Sequence, residues 1–198
     1  IDGKFYSIFS LLFGWGIALQ IQRGMNGGLN PIPTIKRRLM FMLLLGFAHI
    51  MIWPGDIVLF YAILGFMLLP FRRFTDKTLV ITGTTLILLP IFLYAAKLHW
   101  PALNTPSVAL REMGNDINFR LTGIDSEESF NEWVGQANWW NLIEFNFASI
   151  FYRFSYLLFI SRIPKVLGMF LIGYALGRSN FYQTILQNKK WAYRIIGL

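Results

Sequence analysis

The sequence contains no cysteine and only two histidines among its 198 residues. Without cysteine it can form neither a disulfide nor a thiolate metal site, and two histidines are too few for a histidine-rich metal site. It also lacks the glycine-rich phosphate loops of the Walker and GxGxxG types and the GxSxG turn that carries a nucleophilic serine. These absences exclude common signatures of soluble nucleotide-binding and hydrolytic enzymes, and we expect no metal.

Charged residues are also scarce. They make up 14% of the chain, whereas hydrophobic residues make up 55% and the mean hydropathy is +0.49. Soluble domains carry about 25% charged residues. The net charge of +8 comes from basic residues that flank apolar segments and do not form one basic face. Membrane topology explains this charge better than nucleic-acid binding does. The composition therefore predicts a polytopic protein of the lipid bilayer that binds no nucleic acid.

The chain is organised around a hydrophobic hairpin at residues 37–73, which begins and ends with an arginine pair. Its two apolar segments are separated by Trp53, Pro54, Gly55 and Asp56. Because proline and glycine break a helix where the chain turns, the pattern predicts two membrane helices. Basic residues favour the cytoplasmic side of a membrane. We therefore expect both arginine pairs on that side and Asp56 on the other.

The whole sequence predicts an all-α, polytopic membrane helical bundle of about five spans, with residues 1–198 forming a single transmembrane domain. The expected spans cover residues 5–22, 38–53, 56–71, 78–98 and 164–177. Ser7, Ser10 and Gly14 share one face of the first span, and Gly173 and Gly177 form a GxxxG motif, which predicts close helix packing. The chain starts next to an apolar span without a signal peptide, so we expect a fragment that lacks an upstream helix.

Residues 99–142 differ from the rest of the chain in their acidity. Between positions 101 and 142 there are six acidic residues and two basic ones. Such a segment fits the external side, and its length and tryptophans predict an ordered cap on the membrane surface. Ser126 followed by Glu127 and Glu128 predicts the start of a short helix.

Residues 143–161 are apolar but are interrupted by Glu144, Asn146 and Arg153. A full crossing here would place the basic residues of 178–194 outside the cell, against the positive-inside bias. We therefore predict an interfacial or re-entrant helix, with Arg153 turned towards protein or water.

His49 and Asp56, at one end of the hairpin, are the candidate catalytic residues. Ionisable residues within spans usually face the bundle interior and mark function. Gly46, on the same helix face as His49, leaves room for a neighbouring helix or a ligand. His49 would act as a general base and Asp56 would orient its ring. Two structural alternatives stay open: Asp56 only caps the next helix, or His49 is a hydrogen-bonded structural residue.

The loop at residues 23–38 contains several basic residues and no acidic one. Arg23, Arg37 and Arg38 are candidates for binding the phosphates of a cofactor, together with backbone N–H groups at the glycines. The alternative is a purely topological role with contacts to lipid headgroups. Arg153 and Tyr61 are candidates for substrate contacts.

Four sequence blocks resemble YeiB-like bacterial membrane proteins, also described as domain of unknown function 418. The blocks are KFYSIFSLLFGWG at 4–16, RR…LLGFAH at 37–49, GDIVLFYAILG at 55–65 and LGMFLIGYALGR at 167–178. The resemblance covers most of the chain. It implies a multi-pass protein of the bacterial inner membrane, related to transmembrane acyltransferases such as lysosomal heparan-α-glucosaminide N-acetyltransferase. The resemblance also implies that the chain is a fragment, and we expect it to be without the family's first helix, with its Arg-Gly signature, and without its C-terminal helical region.

The resemblance implies that an acyl group moves from cytosolic acyl-CoA, the co-substrate, to an extracytoplasmic acceptor. Two other classes of function remain. One is a transporter or flippase for an anionic or lipid-linked solute, with His49 and Asp56 as a proton site. The other is a non-catalytic scaffold subunit of an envelope complex. The corresponding protein partners would be a second copy of the chain or another member of that complex.

The absence of cysteine makes the predicted topology directly testable. Single cysteines introduced at residues 23–38, 72–77 or 178–194 should be protected from an impermeant thiol reagent added outside intact cells, whereas cysteines at 99–142 should react. The expected pattern follows from the distribution of basic and acidic residues. Labelling of a cysteine at position 190 from outside would contradict the interfacial placement of residues 143–161.

Overall fold

The structure, a computed structural model, describes residues 2–179, and this part of the chain contains helices and no strand. Its α-helices are α1 (Asp2–Asn26), α2 (Ile32–Ile52), α3 (Val58–Leu68), α4 (Asp76–His99), α5 (Thr105–Thr122), α6 (Glu127–Gln136), α7 (Trp139–Phe159) and α8 (Arg162–Arg178). Short 3-10 turns lie at Leu69–Arg73 and Pro101–Asn104. The predicted all-α class is confirmed. Most of the predicted basic segment at 178–194 lies outside the described residues.

Two helices are long and apolar enough to cross a membrane: the segment Lys4–Asn26 of α1, and α4. A third span is present if α7 and α8, which are bent at the break between them, form one broken span. With 11 residues, α3 is about 16 Å long. This is too short to cross about 30 Å of hydrocarbon by itself. The described residues thus contain two or three candidate spans, and the five-span arrangement stays a prediction.

The acidic segment at residues 99–142 is largely helical. Ser126 caps α6 as the sequence predicted, because its hydroxyl accepts a hydrogen bond from the backbone N–H of Ser129 at 3.2 Å. α5 packs along α7, where the Ser155 hydroxyl donates to the carbonyl oxygen of Ser107 at 2.6 Å. The segment is therefore ordered by capping and packing. Its external location, and the interfacial or re-entrant placement of 143–161, stay predictions.

The described chain divides into two compact units, and α2, α3, α4 and α8 contribute residues to both. The first unit comprises residues 2–39, 64–89 and 164–179; the second comprises 40–63 and 90–163. In the first unit the backbones of α1 and α8 nearly touch. A Cβ atom at Gly14 would collide with the carbonyl group of Phe170, and one at Gly173 would collide with that of Leu11. This confirms the predicted packing through small residues.

In the second unit, Lys97 at the end of α4 holds the end of α7. Its Nζ donates hydrogen bonds to the carbonyl oxygens of Leu158 at 2.9 Å and Phe159 at 2.6 Å. It also lies 3.2 Å from the hydroxyl of Ser161, in the turn that follows. The last carbonyls of a helix have no partner within the helix, and a cation there also complements the helix dipole. Lys97 therefore fixes the point at which α7 ends.

Because α1 and α8 approach so closely, the effect of a glycine-to-alanine substitution on stability should depend strongly on its position in α1. Gly14→Ala should destabilise the protein by about 1–3 kcal/mol, because its methyl group would have to displace the backbone of Phe170. Gly16→Ala is the matched control on the same helix, since a Cβ there would meet nothing within 4 Å. It should leave stability unchanged or raise it by up to about 1 kcal/mol through helix propensity. Thermal unfolding in detergent measures both, and equal effects would contradict this packing.

Candidate active site

The hairpin turn between α2 and α3 is shaped by a close contact at Gly46. A Cβ atom there would collide with the backbone of Leu59, in the first turn of α3. Glycine therefore lets the start of α3 pack directly against α2. The space that the sequence predicted beside the imidazole is used by a neighbouring helix at this point. The same approach brings His49, near the end of α2, beside Asp56, just before α3.

Asp56 uses its two carboxylate oxygens for different purposes. Oδ2 accepts a hydrogen bond from the backbone N–H of Leu59 at 2.6 Å, which is a helix N-cap interaction. Oδ1 lies 2.7 Å from Nδ1 of His49. The carboxylate is fully buried, and buried charges are tolerated when they are hydrogen-bonded in this way. Capping and ring orientation, which the sequence left as alternatives, therefore occur together.

The contact with Asp56 sets the chemistry of the His49 ring. An ionised carboxylate can only accept hydrogen bonds, so Nδ1 of the neutral imidazole carries the proton. Nε2 is then left with a free lone pair, and none of the described residues hydrogen-bonds to it. An imidazole held in this tautomer by a carboxylate can take up a proton at Nε2.

The prediction that His49 faces the bundle interior is wrong for the part of the chain that the structure describes, since 55% of its side chain is exposed there. The buried positions of α2 include Leu39, Gly46 and Ile50, at spacings of seven and four residues. This is one face of a helix, and His49 lies at its edge, about 100° from Ile50 at 3.6 residues per turn. The ring is thus anchored by a buried partner and remains accessible.

Two polar side chains of α7 reach the same turn. Nη2 of Arg153 donates to the backbone carbonyl of Asp56 at 3.3 Å, and Nδ2 of Asn146 donates to that of Met51 at 2.8 Å. Nε of Arg153 is buried and has no hydrogen-bond partner among the described residues. The sequence reasoning gave Asn146 no role at the site. Its signal was the spacing of seven residues from Arg153, which puts both on one face of an apolar helix.

Tyr61, the other predicted substrate contact, is placed differently. It lies in the middle of α3 and only 1% of it is exposed. Its ring packs in the core close to Phe60, with ring centroids 6.3 Å apart. The structure therefore does not bring Tyr61 to the accessible side of His49.

The predicted phosphate contacts Arg23, Arg37 and Arg38 are all exposed. The first unit contains a cavity of about 810 Å³, and part of the 23–38 loop lines it, but these three arginines do not. Its cationic residues are Arg72, Arg73 and Arg178. The sequence predicted that cations of the loop itself bind the phosphates. The cations that line the cavity are instead far from the loop in sequence, and the fold brings them close to it.

No group of three or more His, Asp or Glu side chains within residues 2–179 could hold a metal ion.

Three known proteins are similar to this chain, and each carries a name that describes it as uncharacterized. The chain is 46% identical over 90 residues to the uncharacterized protein YxaH of Bacillus subtilis, which is 45% of the chain and 22% of that protein. It is 35% identical over 101 residues to an uncharacterized 39.9 kDa protein in the amylase 3′ region of Bacillus acidopullulyticus, covering 51% and 29%. Identity to the uncharacterized protein YeiB of Escherichia coli is 38% over 90 residues, covering 43% and 21%.

The matched segments thus span between about a fifth and a third of these relatives' lengths. No protein-family model matches the chain, and no solved structure matches it. The relatives confirm the resemblance to YeiB-like proteins, and they carry no information about activity.

The buried position of Asp56 predicts a large effect of its removal on stability. Asp56→Ala should destabilise the protein by about 1–3 kcal/mol, because it removes a helix cap and the buried partner of His49. Asp116→Ala is the control, since Asp116 forms an exposed i,i+4 ion pair with Arg120. It should cost no more than about 0.5 kcal/mol. Denaturant or thermal unfolding of the purified protein in detergent compares the two, and similar losses would contradict the role of Asp56.

Proposed function

The chain is a homologue of the YeiB-like proteins, and we propose that it is part of a multi-pass acyltransferase of the bacterial inner membrane. This enzyme transfers an acyl group from cytosolic acyl-CoA to a hydroxyl or amine on an extracytoplasmic acceptor. His49 is the general base, and Asp56 orients it. Arg153 is a positioning residue that supports the turn carrying Asp56.

A single observation carries this proposal. An imidazole lies 2.7 Å from a fully buried carboxylate while 55% of its own side chain is exposed. The buried carboxylate fixes the tautomer and the ring plane, and it also stabilises the imidazolium ion that forms when Nε2 accepts a proton. A histidine with only a structural role has no need of a side chain that is more than half exposed.

The proposed reaction proceeds by addition and elimination at the thioester. Nε2 of His49 takes the proton of the acceptor O–H or N–H as the acceptor atom attacks the thioester carbonyl carbon. The tetrahedral intermediate then collapses and the carbon–sulfur bond breaks. The leaving CoA thiolate receives the proton from the imidazolium, so His49 returns to its neutral form. The products are the acylated acceptor and free CoA thiol, with no net change in charge or oxidation state.

The release of CoA provides a direct assay, to which the chain contributes no background because it has no cysteine. Membranes containing the protein are incubated with radiolabelled acyl-CoA, and both free thiol and labelled product are measured. His49→Ala should lower turnover by about 10²- to 10⁴-fold, the range for loss of a general base. Asp56→Asn should lower it by about 10- to 150-fold, equivalent to a charged hydrogen bond of about 1.5–3 kcal/mol.

The second histidine of the chain supplies the control. His99 is exposed, and its described contact is with the Trp100 ring, so His99→Ala should keep full turnover. Each variant is also tested for thermal stability, because loss of activity together with stability would assign His49 a structural role. Full turnover in His49→Ala would refute the catalytic assignment. Absence of acyl transfer together with proton-coupled solute uptake in proteoliposomes would favour a transporter that uses the same pair as a proton site.

A further inference from the structure

The cavity in the first unit combines cationic and apolar walls. Its volume of about 810 Å³ lies in the range of small-molecule sites, which is about 300–1,000 Å³. Its lining residues include the cationic Arg72 and Arg73 and the apolar Ile21, Met25 and Leu29. No acidic residue is among the lining residues. The cavity therefore offers an anionic ligand both charge and apolar contact.

The positive charge in this cavity is only partly balanced by the protein. Arg178 is already fully engaged: it pairs with Asp76 at 2.5 Å and donates to the backbone carbonyls of Arg72 and Phe74. Arg72 donates to the carbonyl of Leu69 at 3.1 Å, and Arg73 is exposed. Neither Arg72 nor Arg73 pairs with a carboxylate among the described residues. Two neighbouring guanidinium groups are thus left without a counter-charge at the cavity.

The turn between α1 and α2 also lines the cavity, through Gly28 and Asn30 among others. Gly28 adopts a left-handed conformation with φ of 71°, and the Asn30 side chain accepts a hydrogen bond from the backbone N–H of Ile32 at 3.1 Å. The amide of Gln22 donates to the carbonyl of Arg178 at 2.8 Å, which joins α1 to the end of α8. These contacts hold the turn and the end of α8 in place at the cavity.

From this arrangement we infer that the cavity binds a phosphate-bearing amphiphile. Guanidinium groups bind phosphate oxygens by charge-assisted, often bidentate hydrogen bonds. Met25 and Leu29 are largely exposed, at 65% and 72%, and an acyl chain or another apolar group would cover them. Acyl-CoA and an anionic phospholipid share this chemistry. The inference rests on the cavity alone and holds whether or not His49 catalyses acyl transfer.

The test measures binding to the purified protein in detergent, with palmitoyl-CoA and phosphatidylglycerol as separate probes. The double variant Arg72→Gln/Arg73→Gln should weaken binding of at least one probe by about 10- to 100-fold, through loss of one or two charged hydrogen bonds. The control is Arg37→Gln/Arg38→Gln, which removes the same charge from exposed positions outside the cavity and should bind as the original protein does. Preference for one probe identifies the source of the phosphate.

Several outcomes would overturn the inference. They are binding of neither probe, unchanged affinity in the Arg72/Arg73 variant, or equal weakening in both double variants, which would indicate a general charge effect. If the double variant unfolds, Arg73→Gln alone is used, because this exposed side chain can be replaced with little structural cost. The assay needs no turnover. A negative binding result therefore does not refute the proposed acyl transfer, which is tested by the turnover assay. Likewise, absence of acyl transfer does not alter the result of the binding assay.

Discussion

A buried carboxylate must have partners for both of its oxygens, and the turn between α2 and α3 is built around this requirement at Asp56. One oxygen is satisfied by the first turn of α3, and the other by the imidazole of His49. Either contact alone would leave part of a charge in an apolar surrounding, which is costly. The end of one helix and the start of the next are thereby fixed with respect to a single side chain. The reactive group of the candidate site is part of the same interaction that holds the turn.

The first unit depends on a different constraint: glycines, which have no side chain, stand where α1 and α8 touch. α1 and α8 approach until backbone meets backbone at Gly14 and Gly173, which leaves no volume for even a methyl group. In an apolar environment such contact replaces the hydrophobic effect as the source of helix association. At the end of α8, Arg178 then binds the chain at Arg72, Phe74 and Asp76. Tight packing and one multiply bonded guanidinium thus place the 3-10 turn beside the cavity.

Several features of the fold and site were predictable because they depend on local sequence. The hairpin break at Pro54 and Gly55, the cap at Ser126 and the GxxxG packing of α8 are each encoded within a few residues. The short loop between His49 and Asp56 also made their direct contact possible, although the spacing did not require it. These predictions needed no knowledge of which elements meet across the fold.

The failures share a dependence on long-range contacts. The exposure of His49 depends on which face of α2 becomes buried, and residues from other helices decide this. The sequence pointed to Arg37 and Arg38, which belong to the glycine-rich loop, but the fold brings Arg72 and Arg73 to the cavity and leaves Arg37 and Arg38 outside its lining. Asn146 acquires its role only because α7 passes the α2–α3 turn. Each of these cases depends on which face of a helix becomes buried or on which distant segments of the chain come together. Local sequence and composition determine neither.

The hydrogen bonds of Lys97 to the end of α7 join residues that are 61 and 62 positions apart. These hydrogen bonds close the intervening chain into a large loop. The chain has no cysteine, and the hydrogen bonds link the two ends of this loop non-covalently, as a disulfide would link them covalently. Unlike a disulfide, this closure constrains the folded state and leaves the unfolded chain free. Any fluctuation that separates the two ends must first break the hydrogen bonds of the Lys97 ammonium group. The segment from α5 to α7 is therefore expected to open as one cooperative unit instead of fraying helix by helix.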